Sequence, residues 1–184
     1  MIKAHNFKRR WQDIKDDVLA GMEQIHINEK VVNAHFTSQV EAKLKQVSNR
    51  KYALLCRSGS HAITMSLLAN NIGFGHKVIL PNYSCPATLS SVAVIGCVPV
   101  FCEIDQYGMM DQYHLQTLSG SGAKAVLATG LYGDTHNHAP IKSFCEDNNM
   151  AYINDAAQSQ FALYEGTNSL ELGDIVCMLS LIHI

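Results

Sequence analysis

From Lys51 onward, short apolar runs alternate with segments of helical length, and this alternation constrains the fold more than any other feature of the chain. Apart from the charged residues Lys77, Lys124 and Asp174, which begin three of the runs, they are apolar without alternation, which is typical of strands that are covered on both faces. Strands separated by helices form mainly parallel sheets, because each connection crosses one face of the sheet. The sequence therefore predicts an α/β fold in which a mainly parallel sheet is sandwiched by helices. The predicted strands are 52–56, 77–80, 98–102, 124–128, 151–153 and 174–178, with helices at about 60–72, 85–95, 111–118 and 137–148.

The first 50 residues carry helical patterns instead. Apolar side chains recur at spacings of three and four residues from Phe7 to Val18 and again from Phe36 to Val47, as on one face of an amphipathic helix. We therefore predict an N-terminal helical segment over residues 1–50 and an α/β domain over residues 51–178.

Composition excludes several classes of partner. The net charge of −2 provides no basic surface for nucleic acid. No run of 18 apolar residues could span a membrane, and the start of the chain is charged from Lys3 without an apolar leader segment. The six cysteines show no C-x-x-C pair, as expected of reduced thiols. The sequence predicts a cytoplasmic protein with no nucleic-acid partner and no membrane partner.

Polar and small residues follow three of the predicted strands. They are Arg57–Ser60, Pro81–Cys85 and Asp155. In open α/β sheets, ligands bind beyond the carboxyl ends of the strands. These three segments are therefore expected to lie on one binding edge of the sheet.

Asp155 is the strongest single candidate on this edge. It follows an apolar strand and precedes two alanines, Ala156 and Ala157, which would let a flat ring approach closely. A carboxylate facing a pyridinium nitrogen keeps that nitrogen protonated, and Gln158 could bond a ring substituent. The alternative is a helix N-cap aspartate, with Gln158 closing a turn that resembles a capping box.

Ser58–His61 leads from a predicted strand into a helix. Free backbone N–H groups and the helix dipole at such a position suit a phosphate. The alternative is a serine N-cap followed by a glycine, with no ligand-binding role. Two other polar groups, His136–His138 and the pair Glu103 and Asp105, are interpreted as loop residues, and no metal site is predicted.

Five segments occur together in a fixed order: KYALLCRSGSHAITMSLLA, GFGHKVILPNYSCPATLSSVAVIGCVPVFCEID, LYGD, INDAAQSQFALYEG and LGDIVCM. In this order they resemble the DegT/DnrJ/StrS nucleotide-sugar aminotransferases, which use pyridoxal 5′-phosphate (PLP). The resemblance implies the large domain of the aspartate-aminotransferase-type (fold type I) fold, in incomplete form. It also implies transfer of an amino group from glutamate to a nucleotide-linked keto-sugar, by a homodimer.

The resemblance assigns cofactor-binding positions residue by residue. By this resemblance, Gly59, Ser60 and His61 cradle the phosphate. Cys85 stands where the family usually stacks an aromatic ring. Asp155 and Gln158 contact the pyridine ring and its substituent.

The last residues depart from the family pattern. Family members continue GD-x-x-CFSF and then carry the Schiff-base lysine, whereas this sequence reads GDIVCMLSLIHI and has no lysine after Lys142. We therefore interpret 179–184 as a tail outside the family's natural reading frame. No residue is assigned as catalytic, and this chain is expected to be inactive by itself.

Two alternatives remain open. One is a non-catalytic fragment that binds PLP or pairs with an intact subunit. The other is a generic α/β nucleotide-binding module. The second is disfavoured because Gly73–Gly75 follows a predicted helix, whereas the dinucleotide fingerprint requires a strand, glycines and then a helix.

Overall fold

The computed structural model describes residues 6–27, 35–135 and 137–179. The chain divides into two compact units, and the second of them is Cys56–Leu179. The domain predicted over residues 51–178 stays a prediction, and this second unit covers most of it. No helix in the described ranges is long and apolar enough to cross a bilayer.

The first unit contains two helices, α1 (Phe7–Ile27) and α2 (His35–Val47). Both helical predictions for this region are confirmed. The helices approach each other at Gly21, where an added Cβ would lie 3.4 Å from the ring of Phe36. The missing side chain therefore provides the space that this ring occupies.

The strand predicted over 52–56 is wrong. This stretch forms no strand, and the side chains of Tyr52 and Leu54 are 78% and 76% exposed. The Leu55 N–H donates to the Glu41 carboxylate of α2 at 2.9 Å instead of to a neighbouring strand. An apolar run becomes a strand only where another strand pairs with its backbone, and the described residues offer this run no such partner.

The second unit is built on a five-stranded parallel sheet in the order β2-β1-β3-β4-β7. Four helices accompany it, and each falls on a predicted helix. The sheet strands are β1 (Lys77–Pro81), β2 (Val98–Cys102), β3 (Ala123–Thr129), β4 (Ala151–Asp155) and β7 (Ile175–Cys177); the helices are α3 (Gly59–Ala69), α4 (Pro86–Ala93), α5 (Gln112–Thr117) and α6 (His138–Asp147).

The sheet has a core on each face. On one face, Ile63 and Leu67 of α3 and Val92 of α4 pack with strand side chains such as Ile153. On the other face, Leu115 of α5 and Ile141 and Phe144 of α6 pack with a second set that includes Val126 and Tyr152. Successive strand residues point to opposite faces, so residues of β4 alternate between the two cores. The prediction of a parallel sheet sandwiched by helices is confirmed.

A short hairpin, β5 (Leu163–Tyr164) and β6 (Thr167–Asn168), was not predicted. Its turn residues Glu165 and Gly166 both have positive φ, at 49° and 83°. Two-residue hairpin turns of this kind favour Asn-Gly or Asp-Gly, so the Glu-Gly pair gave only a weak signal.

Helix α5 depends on one capping side chain. The Asp111 carboxylate accepts the N–H groups of Tyr113 at 2.7 Å and His114 at 2.8 Å. We expect Asp111→Ala to lower the free energy of unfolding by about 1 kcal/mol, the usual cost of losing an N-cap. Urea denaturation checks this. The control is Asp147→Ala, at the exposed end of α6, which should leave stability nearly unchanged; equal effects of the two variants would contradict the prediction.

Candidate functional site

Three strand ends lie side by side at the carboxyl edge of the sheet. Asp155 ends β4 and is in register with Thr129 of β3 and with Cys177 of β7. The backbone continues these pairings past the strands, since Gly130 N–H donates to the Asp155 carbonyl at 3.1 Å. Asp155 is therefore held between β3 and β7 at the edge where α/β folds bind ligands.

The Asp155 side chain is buried, with 5% of its surface exposed. One carboxylate oxygen accepts the Ala157 N–H at 3.1 Å, and the other accepts the Thr88 hydroxyl at 3.5 Å. Burial raises the pKa of this carboxyl, while the hydrogen bonds from Ala157 and Thr88 act in the opposite direction. Within the described ranges, no lysine, arginine or histidine forms an ion pair with it. The site is therefore suited to accept a protonated group from a ligand.

Gln158 lies in a turn over 157–161 rather than in a helix. Its side-chain oxygen accepts the Tyr132 N–H at 3.2 Å, and its backbone carbonyl accepts the Gly133 N–H at 2.9 Å. The alternative of a helix N-cap closed by Gln158 is therefore wrong. With the oxygen engaged, the side-chain NH₂ group remains the donor that Gln158 can offer a ligand.

The start of α3 is capped by Ser58, whose hydroxyl oxygen accepts the His61 N–H at 3.1 Å. The N-cap interpretation is confirmed, and it leaves the N–H groups of Gly59 and Ser60 without a partner among the described residues. A Cβ on Gly59 would lie 3.7 Å from Leu179, two residues beyond β7. These two free donors and the helix dipole therefore lie near the β7 side of the edge and can bind an anion.

The loop between β1 and α4 is tied to three other elements. Asn82 donates to Glu103 beyond β2 at 2.5 Å. The Tyr83 and Tyr132 hydroxyls are 2.6 Å apart, and Ser84 is hydrogen-bonded at 2.8 Å to the Thr88 hydroxyl. These contacts fix the loop that ends at Cys85.

Cys85 is the N-cap residue of α4, and it is exposed. Its thiol makes no capping hydrogen bond. One turn further along α4, Thr88 contacts Asp155. Cys85 is thus placed on the same side of the sheet as the Asp155 carboxylate, with its thiol available to a ligand.

The remaining polar motifs have structural roles. The interpretation of His138 as a loop residue is wrong, because it is the first residue of α6 and is buried. One of its ring nitrogens is 3.0 Å from the Thr135 hydroxyl, and the other is hydrogen-bonded to Tyr152. His136 lies outside the described residues. Asp105 accepts the Tyr107 and Met109 N–H groups of its own turn. In the described part of the chain, no three potential ligands are grouped as a metal ion would require.

Comparison with known families decides the class of the chain. Residues 12–179 match the DegT/DnrJ/EryC1/StrS aminotransferase family. The chain belongs to this family. The match covers both the helical N-terminal region and the sheet, and it confirms the resemblance noted in the sequence.

Individual relatives agree with this assignment. The chain is 28% identical over 178 residues to the UDP-2-acetamido-2-deoxy-3-oxo-D-glucuronate aminotransferase of Pseudomonas aeruginosa, covering 96% of this chain and 50% of the relative. A crystal structure of a DegT/DnrJ/EryC1/StrS aminotransferase from Brucella abortus superposes with a TM-score of 0.86 at 23% identity, over 94% of this chain and 48% of that one. NtdA from Bacillus subtilis, solved with bound cofactor PMP, superposes with a TM-score of 0.76 at 26% identity, over 79% of this chain and 34% of that one.

The chain spans about half the length of the curated relatives it matches. The DegT/DnrJ/EryC1/StrS aminotransferases depend on PLP, and the solved neighbours have the fold type I architecture. The predicted fold class is therefore confirmed at the level of the parallel sheet and its helices.

Sequence reasoning missed several residues of the candidate site in this family member. Thr88 is the clearest, because it is the side chain that contacts Asp155 from α4. Its position three residues after Cys85 and one helical turn away was a usable signal. The Tyr83–Tyr132 contact joins loops 49 residues apart in sequence, and no local pattern indicates it.

Proposed function

We propose that this chain forms the cofactor-binding part of a PLP-dependent enzyme that transfers an amino group from glutamate to a nucleotide-linked keto-sugar. The observation that carries the proposal is Asp155, a buried carboxylate without a cationic partner in the described residues, at the carboxyl end of β4. The proposal draws further support from the aminotransferase names of the relatives. Because the chain spans about half of those relatives, the transfer reaction is proposed for the whole protein and cofactor binding for this chain.

Asp155 would hold the pyridine nitrogen of the cofactor. An ionised carboxylate in a buried site favours the protonated form of a facing nitrogen, since their attraction is little screened there. Bound PLP supplies an electron-withdrawing ring that stabilises negative charge on the carbon losing a proton. Thr88 and Ala157 orient the carboxylate by their hydrogen bonds.

The start of α3 would hold the phosphate. Gly59 and Ser60 contribute free backbone N–H groups, and the exposed His61 side chain can add a further donor. The close packing of α3 on β7, where the Ser66 hydroxyl is 3.1 Å from the Cys177 thiol, fixes this helix relative to Asp155. An anion and a protonated nitrogen can thus be bound at neighbouring points of one edge.

Two residues would contact the ring of the cofactor between Asp155 and the start of α3. Gln158 would donate its NH₂ group to a ring oxygen, because its own oxygen is already bonded to the Tyr132 N–H. Cys85 would pack its polarizable sulfur against the ring face.

The oligomeric state and the covalent lysine belong to the same proposal. We propose a cytoplasmic homodimer; the family resemblance supports the dimer, and light scattering of the full protein tests it. No residue of the printed sequence is assigned as the lysine that bonds the cofactor, so we propose that these 184 residues bind the cofactor without completing a turnover.

Titration of the full chain with pyridoxamine 5′-phosphate (PMP) tests the proposal. PMP has no aldehyde, so it cannot react with surface lysines and report false binding. We expect saturable binding by ligand fluorescence, and binding of pyridoxamine at least about tenfold weaker, because it lacks the phosphate that the α3 donors hold.

Two results would contradict this expectation. Equal affinity for PMP and pyridoxamine would show that Gly59 and Ser60 do not bind the phosphate. Saturable binding of a mononucleotide such as UMP with no binding of PMP would favour the nucleotide-binding alternative. Asp147→Asn, an exposed carboxylate on α6, serves as the matched control and should bind PMP like the wild type.

A further inference from the structure

Thr129 is a second unusual residue at the Asp155 edge. It ends β3, is 4% exposed, and its hydroxyl has no hydrogen-bond partner in the described part of the chain. A buried hydroxyl without a partner is costly, and native proteins rarely retain one without a reason. This residue therefore requires an explanation that the fold does not supply.

The register places the Thr129 side chain next to Asp155. The two residues are paired in the β3–β4 ladder, so their side chains point to the same face of the sheet. Ile153, two residues before Asp155, packs in the core under α3 and α4, which identifies that face. Parallel neighbours lie about 4.8 Å apart, so rotation of the threonine side chain alone moves its hydroxyl toward or away from the carboxylate.

Asp155 has room for another donor. An ionised carboxylate has about four lone-pair sites. The Ala157 N–H and the Thr88 hydroxyl occupy two of them. One remaining site suits a protonated ligand nitrogen, which leaves another for a donor on the neighbouring strand β3, where Thr129 is in register.

We propose that Thr129 is a further positioning residue, whose hydroxyl donates to the Asp155 carboxylate when a protonated heteroaromatic nitrogen such as that of PMP is bound. The assignment rests on the proposed function, because it needs a cationic ring to hold Asp155 ionised. The hydroxyl is unpaired without the ligand and satisfied with it. The free energy that the unpaired hydroxyl costs in the ligand-free protein is then recovered when the ligand binds.

The elements that surround Asp155 carry four other titratable side chains. Cys177 on β7 is in register with Asp155, Cys56 precedes α3, His61 lies in its first turn, and Cys85 is the N-cap residue of α4. Burial raises the pKa of Cys177 to about 12, so this thiol stays neutral at ordinary pH. Asp155 is therefore the carboxyl whose ionisation Thr129 would support.

Thr129→Val removes the hydroxyl and keeps the branched shape. We expect its affinity for PMP to fall by about tenfold, the scale of one hydrogen bond to a charged group. The absorbance of bound PMP reports the proton on the ring nitrogen, and its alkaline transition should move to lower pH in the variant. Thr129→Ser, which retains the hydroxyl, should restore both quantities.

Stability of the free protein separates this role from a structural one. Thr129→Val should unfold at the same or a higher urea concentration, because it removes an unpaired buried hydroxyl. Ser159→Ala is the matched control: its hydroxyl is also buried and unpaired in the described chain, but it lies against Gly130. That control should bind PMP like the wild type.

The outcomes separate the assignment from the proposed function. Wild-type binding and an unchanged absorbance transition in Thr129→Val would overturn the assignment alone. So would weaker binding that Thr129→Ser does not restore. A wild-type chain that binds no PMP would overturn the proposed function, and the assignment with it.

Discussion

Asp155→Asn should weaken PMP binding by about 100-fold. In the absence of ligand, the same variant should instead gain stability relative to the wild type as the pH rises. The variant loses one partner of a buried, hydrogen-bonded charge pair, which costs roughly 2–5 kcal/mol. Asparagine keeps the size of the side chain, so the loss reports charge rather than packing. Fluorescence titration with PMP measures the effect, beside the exposed control Asp147→Asn.

The effect on stability follows from the raised pKa of Asp155. The folded carboxyl binds its proton more tightly than the unfolded one, so its contribution to the free energy of unfolding is most favourable in acid. That contribution is lost as the pH rises from the ordinary aspartate pKa of 3.8 through the raised pKa. Each unit of pKa corresponds to about 1.4 kcal/mol. The ligand-free variant should therefore gain stability relative to the wild type as the pH rises above 3.8, and the gain should level off above the raised pKa.

Urea denaturation at several pH values provides the measurement. A stability difference that stays constant with pH would show that Asp155 is as well solvated in the folded protein as in the unfolded chain. Unchanged PMP affinity in the variant would show that Asp155 does not contact the ligand. The proposed function would then lose the observation on which it rests.

Gly130→Ala should lower the free energy of unfolding by about 3 kcal/mol, the upper part of the range for overpacking a buried site. An added Cβ would lie 2.3 Å from the Ser159 hydroxyl oxygen and 2.8 Å from the backbone oxygen of Asp134. The backbone oxygen cannot move aside as a flexible side chain can. Because the Gly130 N–H holds the end of β3 against the Asp155 carbonyl, PMP binding should fall as well.

Two further variants make this prediction specific. Gly120→Ala adds the same methyl group where nothing lies within 4 Å and should leave stability nearly unchanged. Ser159→Gly in the Gly130→Ala background removes the nearest side chain and should recover part of the loss, leaving the contact with Asp134. Similar urea midpoints for Gly130→Ala and Gly120→Ala would show that the β3–α6 loop yields to the methyl group.

Most of the sheet could be predicted from the sequence, because its strands are apolar on both faces and separated by helices. The runs at 98–102 and 124–128 became β2 and β3 almost without change. The run at 52–56 has the same local composition and formed no strand, since pairing depends on a neighbour that local sequence does not specify. Hairpin β5–β6 was missed for a related reason, because strands of two residues are too short to show alternation.

The candidate site was predictable where one residue carries the signal. Asp155 was identified from a carboxylate at a strand end, and the Ser58–Ser60 segment from the start of a helix. Thr88, Tyr83 and Tyr132 were not identified, because each gains its position from a contact with a distant loop or strand.

The sequence by itself determined the order of the five sheet strands and the helices that cover them, the family and the carboxylate at the end of β4, because periodicity and ordered motifs are local properties. Only the tertiary structure decided what surrounds that carboxylate. The β3–β4 register placed the Thr129 hydroxyl, which is unpaired among the described residues, beside Asp155, and the packing of α4 brought Thr88 into contact with its carboxylate. Register and burial depend on the whole fold, since they are set by pairing and packing between segments far apart in the chain.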